Sequence, residues 1–294
     1  MSTAESPTLR DRLGVRMSRT LVAVVAVTSR LRNGPPPKSI TEHNYGSHPA
    51  EHLELIPAAP DMPPRTPVVY FHGGGWICGN KNINTPKLLH LAEAGHPVFN
   101  VEYLFAPEHA HPQILLSLLN ALTWIREKHP EQESVHLMGD SSGGNLAMML
   151  GILTANPSLV SILGTDQTFD TPRVQSITSL YGVLDRLSWI EVGVPRSSLM
   201  LRSYAGEAAF ALEVEPRHAV TPMDLTFDIL APTFIAAASK DQLARSSRIC
   251  AEHLEQFVDV RYKLYEGARH GFFTFNRPQS WELLDDILEF LDAH

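Results

Sequence analysis

Short apolar runs alternate along this chain with stretches whose apolar positions recur every three to four residues. The runs His52–Ile56, Val68–Phe71, Val98–Val101, Val135–Met138, Val174–Leu180, Thr233–Ala238 and Val260–Tyr265 have the length and composition of strands. Pro86–Ala94, Ile114–Lys128, Gly144–Ala155, Leu243–Phe257 and Trp281–Leu291 carry the helical spacing. Such alternation implies parallel strands joined by crossover helices. The expected class is therefore α/β, a mostly parallel central sheet flanked by helices on both faces. Val68–Phe71 and Thr233–Ala238 are apolar almost throughout, as central strands buried on both faces should be.

Two segments stand outside the alternation. Leu9, Leu13, Met17, Leu21, Val24 and Val25 trace one face of an N-terminal helix, and the breaker cluster Asn33–Lys38 ends it. The spacing predicts that this apolar face packs on the body or over a pocket. Ser188–Thr226 is long, mixed and helix-like, and is expected to be an inserted cap. Its Trp189, Ile190, Leu199, Met200, Leu201 and Phe210 would line the space beneath. The chain thus divides into a cap helix over residues 1–38 and a main domain over 39–294, with the insertion at about 188–226.

Composition changes this picture only at the margins. With 294 residues, 44% of them hydrophobic, the chain can build one large core. A net charge of −8 offers no basic footprint for nucleic acid. Cys78 and Cys250 are too few for a disulfide framework and read as small buried hydrophobes, which makes the reducing cytoplasm the default location. Arg10, Arg12, Arg16 and Arg19 before Leu21–Val27 outline a signal-peptide pattern. The apolar run falls far short of the ~20 residues that span a bilayer, and no small-x-small cleavage site follows. No integral membrane segment is expected; a signal or membrane-surface role for this helix is the alternative reading. Association into a homodimer is neither required nor excluded by the pattern.

The chemistry lies at four strand ends. Gly139-Asp140-Ser141-Ser142-Gly143-Gly144 follows the strand Val135–Met138 and opens a helix. A serine at so sharp a strand-to-helix turn needs glycine two positions before and after, and the turn lifts its hydroxyl clear at the positive end of the helix. Ser141 has both glycines. Ser142 would need one at position 140, where Asp140 stands. Ser141 is the candidate nucleophile.

His72-Gly73-Gly74-Gly75-Trp76 follows the strand Val68–Phe71. Attack on a carbonyl creates an oxyanion that needs preorganised donors, and three glycines let backbone N–H groups approach it unobstructed. His72 reads as a residue that shapes this loop, because a better-placed histidine comes later. A serine nucleophile needs a base, and the base needs an orienting carboxylate. Asp241 lies just past Thr233–Ala238, and His270 just past Val260–Tyr265 between Gly267 and Gly271. The rival acids Asp224 and Asp228 precede their strand rather than follow it.

With HGGGW at 72–76, YLFAPEH at 103–109, GDSSGGN at 139–145, Asp-x-Leu at 241–243 and HGF at 270–272, the sequence resembles the hormone-sensitive-lipase-like branch of the α/β-hydrolases. The resemblance covers about two hundred residues in the family's order. It implies the α/β-hydrolase fold with a small helical cap, formed by an N-terminal helix and an inserted segment. It implies an esterase acting on small-molecule esters of short to medium acyl length, with no metal or organic cofactor. The matching positions make Ser141 the nucleophile, Asp241 the acid and His270 the base. Oxyanion donors correspond to the N–H groups of Gly74, Gly75 and Ser142, with Gly73 a further candidate. Ser142 stands where the family usually has alanine, and Leu104 where a basic residue is common. An amidase or arylformamidase on this fold, and a binding protein that keeps the fold without activity, are the alternative readings.

Overall fold

The computed structural model of the chain describes residues 8–33, 37–63, 65–193 and 196–294. The ends of the expected cap-helix segment at 1–7 and 34–36, part of the breaker cluster among them, lie outside the described residues, as do 194–195 of the expected insertion.

Eight strands form one sheet in the order β1-β2-β4-β3-β5-β6-β7-β8. These are β1 (Thr41–Asn44), β2 (His52–Ile56), β3 (Val68–Phe71), β4 (Val98–Val101), β5 (Ser134–Asp140), β6 (Arg173–Leu180), β7 (Thr233–Ala238) and β8 (Val260–Tyr265). The pairs from β4 through β3, β5, β6 and β7 to β8 are all parallel, while β1–β2 and β2–β4 are antiparallel. All seven expected strands are present. The eighth, β1, has the sequence TEHN and sits largely exposed at the sheet edge, so no apolar pattern marks it. It is held by its register against β2, from Thr41 opposite Leu55 to Asn44 opposite His52.

Successive side chains of a strand point to opposite faces, and the core divides accordingly. Val69, Phe71, Leu137 and Ile235 join one buried cluster, with Leu118 and Leu122 of α3 (Gln113–Lys128), Leu146 and Leu150 of α4 (Ser142–Ala155) and Cys250 of α7 (Ala244–Leu254). Val68, Tyr70, Met138, Phe234 and Ala236 join the other, with Leu88 and Leu91 of α2 (Thr85–Glu93) and Leu283 and Ile287 of α8 (Pro278–Ala293). Helices thus cover both faces, and the strands bury side chains on each.

Residues 186–226 fold as α5 (Arg186–Val192), α6 (Ser197–Ala205) and three short 3-10 turns, Glu207–Phe210, Pro216–His218 and Pro222–Asp224. Arg186 anchors the segment from within. Its guanidinium is buried, pairs with Asp224 at 2.8 Å and donates to the carbonyls of Ala209, Ala211 and Leu212. Trp189 and Leu201 are core residues rather than pocket lining. Trp189 meets Trp76 edge-on at 5.9 Å, and Trp76 stacks on Tyr204 at 4.5 Å.

The N-terminal helix α1 (Leu9–Asn33) forms as the periodicity predicts, but with the opposite face inward. Leu9, Leu13, Met17, Leu21, Val24 and Val25 are exposed, while Asp11, Val15 and Ser18 are buried. The seat is polar. Arg19 donates to the carbonyls of Ile77 and Ala106 and pairs with Glu108, and Arg196 donates to Ser18 Oγ. Apolar spacing finds the helix; these directional bonds decide which side meets the body. Among the described residues no helix is long and apolar enough to cross a membrane.

Candidate active site

Because β3, β5, β7 and β8 run parallel, their C-terminal ends lie on one edge of the sheet. Ser141 follows β5, the glycine loop follows β3, and Asp241 and His270 lie beyond β7 and β8. The loops bring them together. His270 Nε2 lies 3.0 Å from Ser141 Oγ, and His270 Nδ1 lies 2.7 Å from Asp241 Oδ2. The other carboxylate oxygen of Asp241 accepts the Leu243 N–H at 3.0 Å, which fixes the carboxyl plane. The Asp241 side chain is buried, whereas that of His270 is 44% exposed and reachable from solvent. Asp224 is committed to Arg186 and to the N–H groups of Val220 and Thr221, and Asp228 sits in the loop held by Asn156. Neither meets His270.

Ser141 occupies φ 54°, ψ −119°, a conformation L-residues seldom adopt, directly before α4. Its N–H bonds the Leu180 carbonyl at 2.8 Å. The turn is possible because Gly143 packs against β3, where a side chain would collide with the Phe71 carbonyl. Trp76 and Tyr181 also have positive φ, so three of the four such non-glycine residues among those described surround this site. Strain of that kind persists only where the surroundings over-determine it. Tyr181 stands edge-on to the His270 ring at 5.1 Å.

The glycine loop lies against the serine: a side chain on Gly73 would come within 3.1 Å of Ser141 Cβ. Its three N–H groups are not equivalent. That of Gly73 donates to Asp140 Oδ1 at 2.8 Å. Those of Gly74 and Gly75 have no protein acceptor among the described residues. Ser142 is the first residue of α4, where N–H groups lack intrahelical partners. Gly75 lies beneath α6, so close that a side chain there would strike Met200 Sδ.

Two buried acids that the motifs did not single out hold this loop. Asp140 accepts from Tyr70 Oη as well as from Gly73, and Asn84 in turn donates to Tyr70 at 2.6 Å. Burial pushes the Asp140 carboxyl above the usual range, against the pull of these bonds. Glu102 faces His72 Nε2 at 2.9 Å, while His72 Nδ1 faces the Gly73 carbonyl at 2.9 Å. The Gly73 carbonyl is an acceptor, and so is Glu102 when ionised, so the protonated ring, which donates from both nitrogens, is the form that satisfies both. Burial opposes that charge. The Glu102 carboxylate and the Gly73 carbonyl outweigh it and raise the His72 pKa. Tyr103 stacks on the ring at 4.5 Å and bonds the His72 carbonyl at 2.7 Å. His72 therefore shapes the loop and stays clear of Ser141. Asn145, the last residue of GDSSGGN, donates to the Val183 and Val220 carbonyls at 2.8 Å each. It ties the serine helix to the ends of the cap.

A cavity of about 320 Å³ lies between α1, α2 and the start of α8. Val25, Ile83, Lys87, Phe275 and Trp281 are among its walls; Ser141, Asp241 and His270 are not. Among the described residues no group of three or more His, Cys, Asp or Glu side chains could hold a metal ion.

The profile of the alpha/beta hydrolase fold family matches residues 68–274. A curated esterase of Acinetobacter venetianus is 26% identical over 234 residues, spanning 76% of this chain and 73% of its own. Esterase B of Lactobacillus rhamnosis superposes with a TM-score of 0.80 at 20% identity, covering 97% of this chain and 95% of that one. The esterase of the archaeon Pyrobaculum calidifontis superposes with a TM-score of 0.78 at 21% identity, over 99% of this chain and 94% of that one.

Proposed function

Since the chain belongs to the alpha/beta hydrolase fold family, in its hormone-sensitive-lipase-like branch, we propose that it is a serine carboxylesterase working through an acyl-enzyme on Ser141. The observation that carries this reading is the continuous relay from Ser141 Oγ through both nitrogens of His270 to the buried Asp241 side chain. Its esterase relatives support the substrate class.

In this mechanism His270 carries its proton on Nδ1, donated to Asp241, so that Nε2 is free to accept. Ser141 attacks the ester carbonyl as His270 takes its proton. The N–H groups of Gly74, Gly75 and Ser142 hold the resulting oxyanion. Gly73 is omitted as a donor, because its N–H is spent on Asp140. The tetrahedral intermediate collapses, His270 protonates the departing alcohol, and an acyl-Ser141 ester remains. Water then repeats the sequence with His270 again as base, releasing the acid and restoring the serine. Met200 above Gly75 narrows the space over the donors, which favours short to medium acyl chains. Two free, buried thiols suit the cytoplasm.

A fluorophosphonate probe with peptide mapping tests the assignment. Label is expected on Ser141, lost in Ser141→Ala and retained in Ser142→Ala, in parallel with p-nitrophenyl acetate hydrolysis. Label on Ser142 would overturn it. Faster turnover of the matched anilide or formamide than of the ester would move the substrate class to amides.

A further inference from the structure

Helix α1 turns its most hydrophobic side away from the protein. Leu9, Leu13, Met17, Leu21, Val24 and Val27 are each between 54% and 76% exposed. At about 100° per residue they fall on one side of the helix, and Asp11, Val15, Ser18 and Val22, which face the body, fall on the other. Single exposed apolar residues are ordinary, but a contiguous stripe along a helix marks an interaction surface.

The charge distribution identifies the partner. Six of the chain's 24 Lys and Arg and one of its 32 Asp and Glu lie in α1, so the helix carries +5 and the remainder −13. Arg10 and Arg16 are exposed beside the apolar stripe. A second copy docking by the same stripe would bring two such helices together, basic side against basic side. An anionic lipid surface meets both features at once. It accepts the apolar stripe among its acyl chains and the arginines among its headgroups. It also leaves the acidic body on the side facing water. The helix need not detach, because its inward side keeps its seat through Arg19 and Ser18.

We propose that the outward face of α1 is a peripheral membrane-binding surface that docks the folded protein on anionic bilayers. It would present esters dissolved in or released from the membrane to the site without any spanning segment.

Vesicle co-sedimentation of the full chain tests this without recourse to activity. The probes are vesicles of phosphatidylcholine alone and of phosphatidylcholine with about 30% phosphatidylglycerol. Roughly thirtyfold tighter binding to the anionic vesicles is expected from two arginines at the surface. That advantage should fade between about 0.1 M and about 1 M NaCl, as the Debye length shrinks from ~10 to ~3 Å. Leu13→Ser/Leu21→Ser should lose most of the binding while keeping the wild-type circular dichroism spectrum and p-nitrophenyl acetate turnover. Three results would overturn the proposal. One is no binding at low salt, and another is equal binding by the double variant. The third is a dimer in sedimentation that the double variant dissolves while vesicle binding is absent.

Discussion

Asp140 accepts the Gly73 N–H at 2.8 Å, so the residue before the proposed nucleophile Ser141 holds the loop that supplies the proposed oxyanion donors. The two halves of the site, on β3 and β5, are thus joined by one buried carboxylate and cannot drift independently.

Asp140→Asn should therefore lower kcat roughly 10- to 10²-fold with KM little changed, less than the ~10²–10³ expected when a donor itself is lost. Phosphonate labelling of Ser141 should slow in proportion, because the loop, and not the serine, is disturbed. A variant with a raised KM and normal kcat would place Asp140 in substrate binding instead.

Asp241 and Asp224 should separate cleanly. Asp241→Asn is expected to leave thermal unfolding nearly unchanged and reduce kcat by ~10⁴, since the amide favours the wrong imidazole tautomer. Asp224→Asn should do the reverse. It leaves Arg186 buried without its counter-charge, a loss of about 3–5 kcal/mol in stability when such a pair is broken, with activity retained in whatever folds. Rate loss in Asp224→Asn without destabilisation would mean that the acid has been misassigned.

Much of this was legible in the sequence, and the exceptions share a cause. Strands such as β3 and β7 announce themselves because both of their faces are apolar, and the glycines around Ser141 mark a turn that no other residue permits. What the pattern does not encode is which neighbours a polar group finds in space. The roles of Asp140 and Glu102 depend on contacts with Gly73 and His72, at separations of 67 and 30 residues. The orientation of α1 turned on Arg19 reaching Ile77 and Ala106, and β1 on its backbone pairing with β2. Hydrophobic periodicity ranks faces by greasiness. It cannot weigh a greasy face against one that completes buried hydrogen bonds.

The His72–Glu102 pair gives the fold a pH signature. The His72 pKa is raised above 6.5, so its contribution is complete below that value and is lost as pH climbs through the raised one. Burial acts to raise the Glu102 pKa, but the His72 charge and hydrogen bond outweigh it. The pKa falls below 4.5, and this contribution is complete above 4.5 and is lost as pH falls through the lowered value. The pair therefore stabilises most fully between pH 4.5 and 6.5. The Tm deficit of Glu102→Gln relative to wild type should be largest in that window and shrink on both sides. A deficit independent of pH would mean that the pair is not ionised.

The proposed acyl-length preference rests on how closely the 186–226 segment approaches the proposed donors. Met200 lies against Gly75, so the carbonyl of a bound ester would sit beneath a flexible thioether rather than in an open groove. Each methylene buried in such a pocket contributes ~0.8 kcal/mol until the space is filled. Beyond that length it must displace the cap or remain in water. On p-nitrophenyl esters, kcat/KM should rise from acetate, peak at intermediate length and fall steeply for long chains. Met200→Ala removes the side chain over the donors and should shift the peak to longer acyl groups, with little effect on acetate. Deleting residues 1–32 should act differently, because α1 turns its apolar stripe outward. It exposes the seat of Arg19 at Ile77 and Ala106 and should raise KM across the series without moving the peak. If the peak moves on deletion of α1 and stays put in Met200→Ala, then α1, not α6, sets the acyl length.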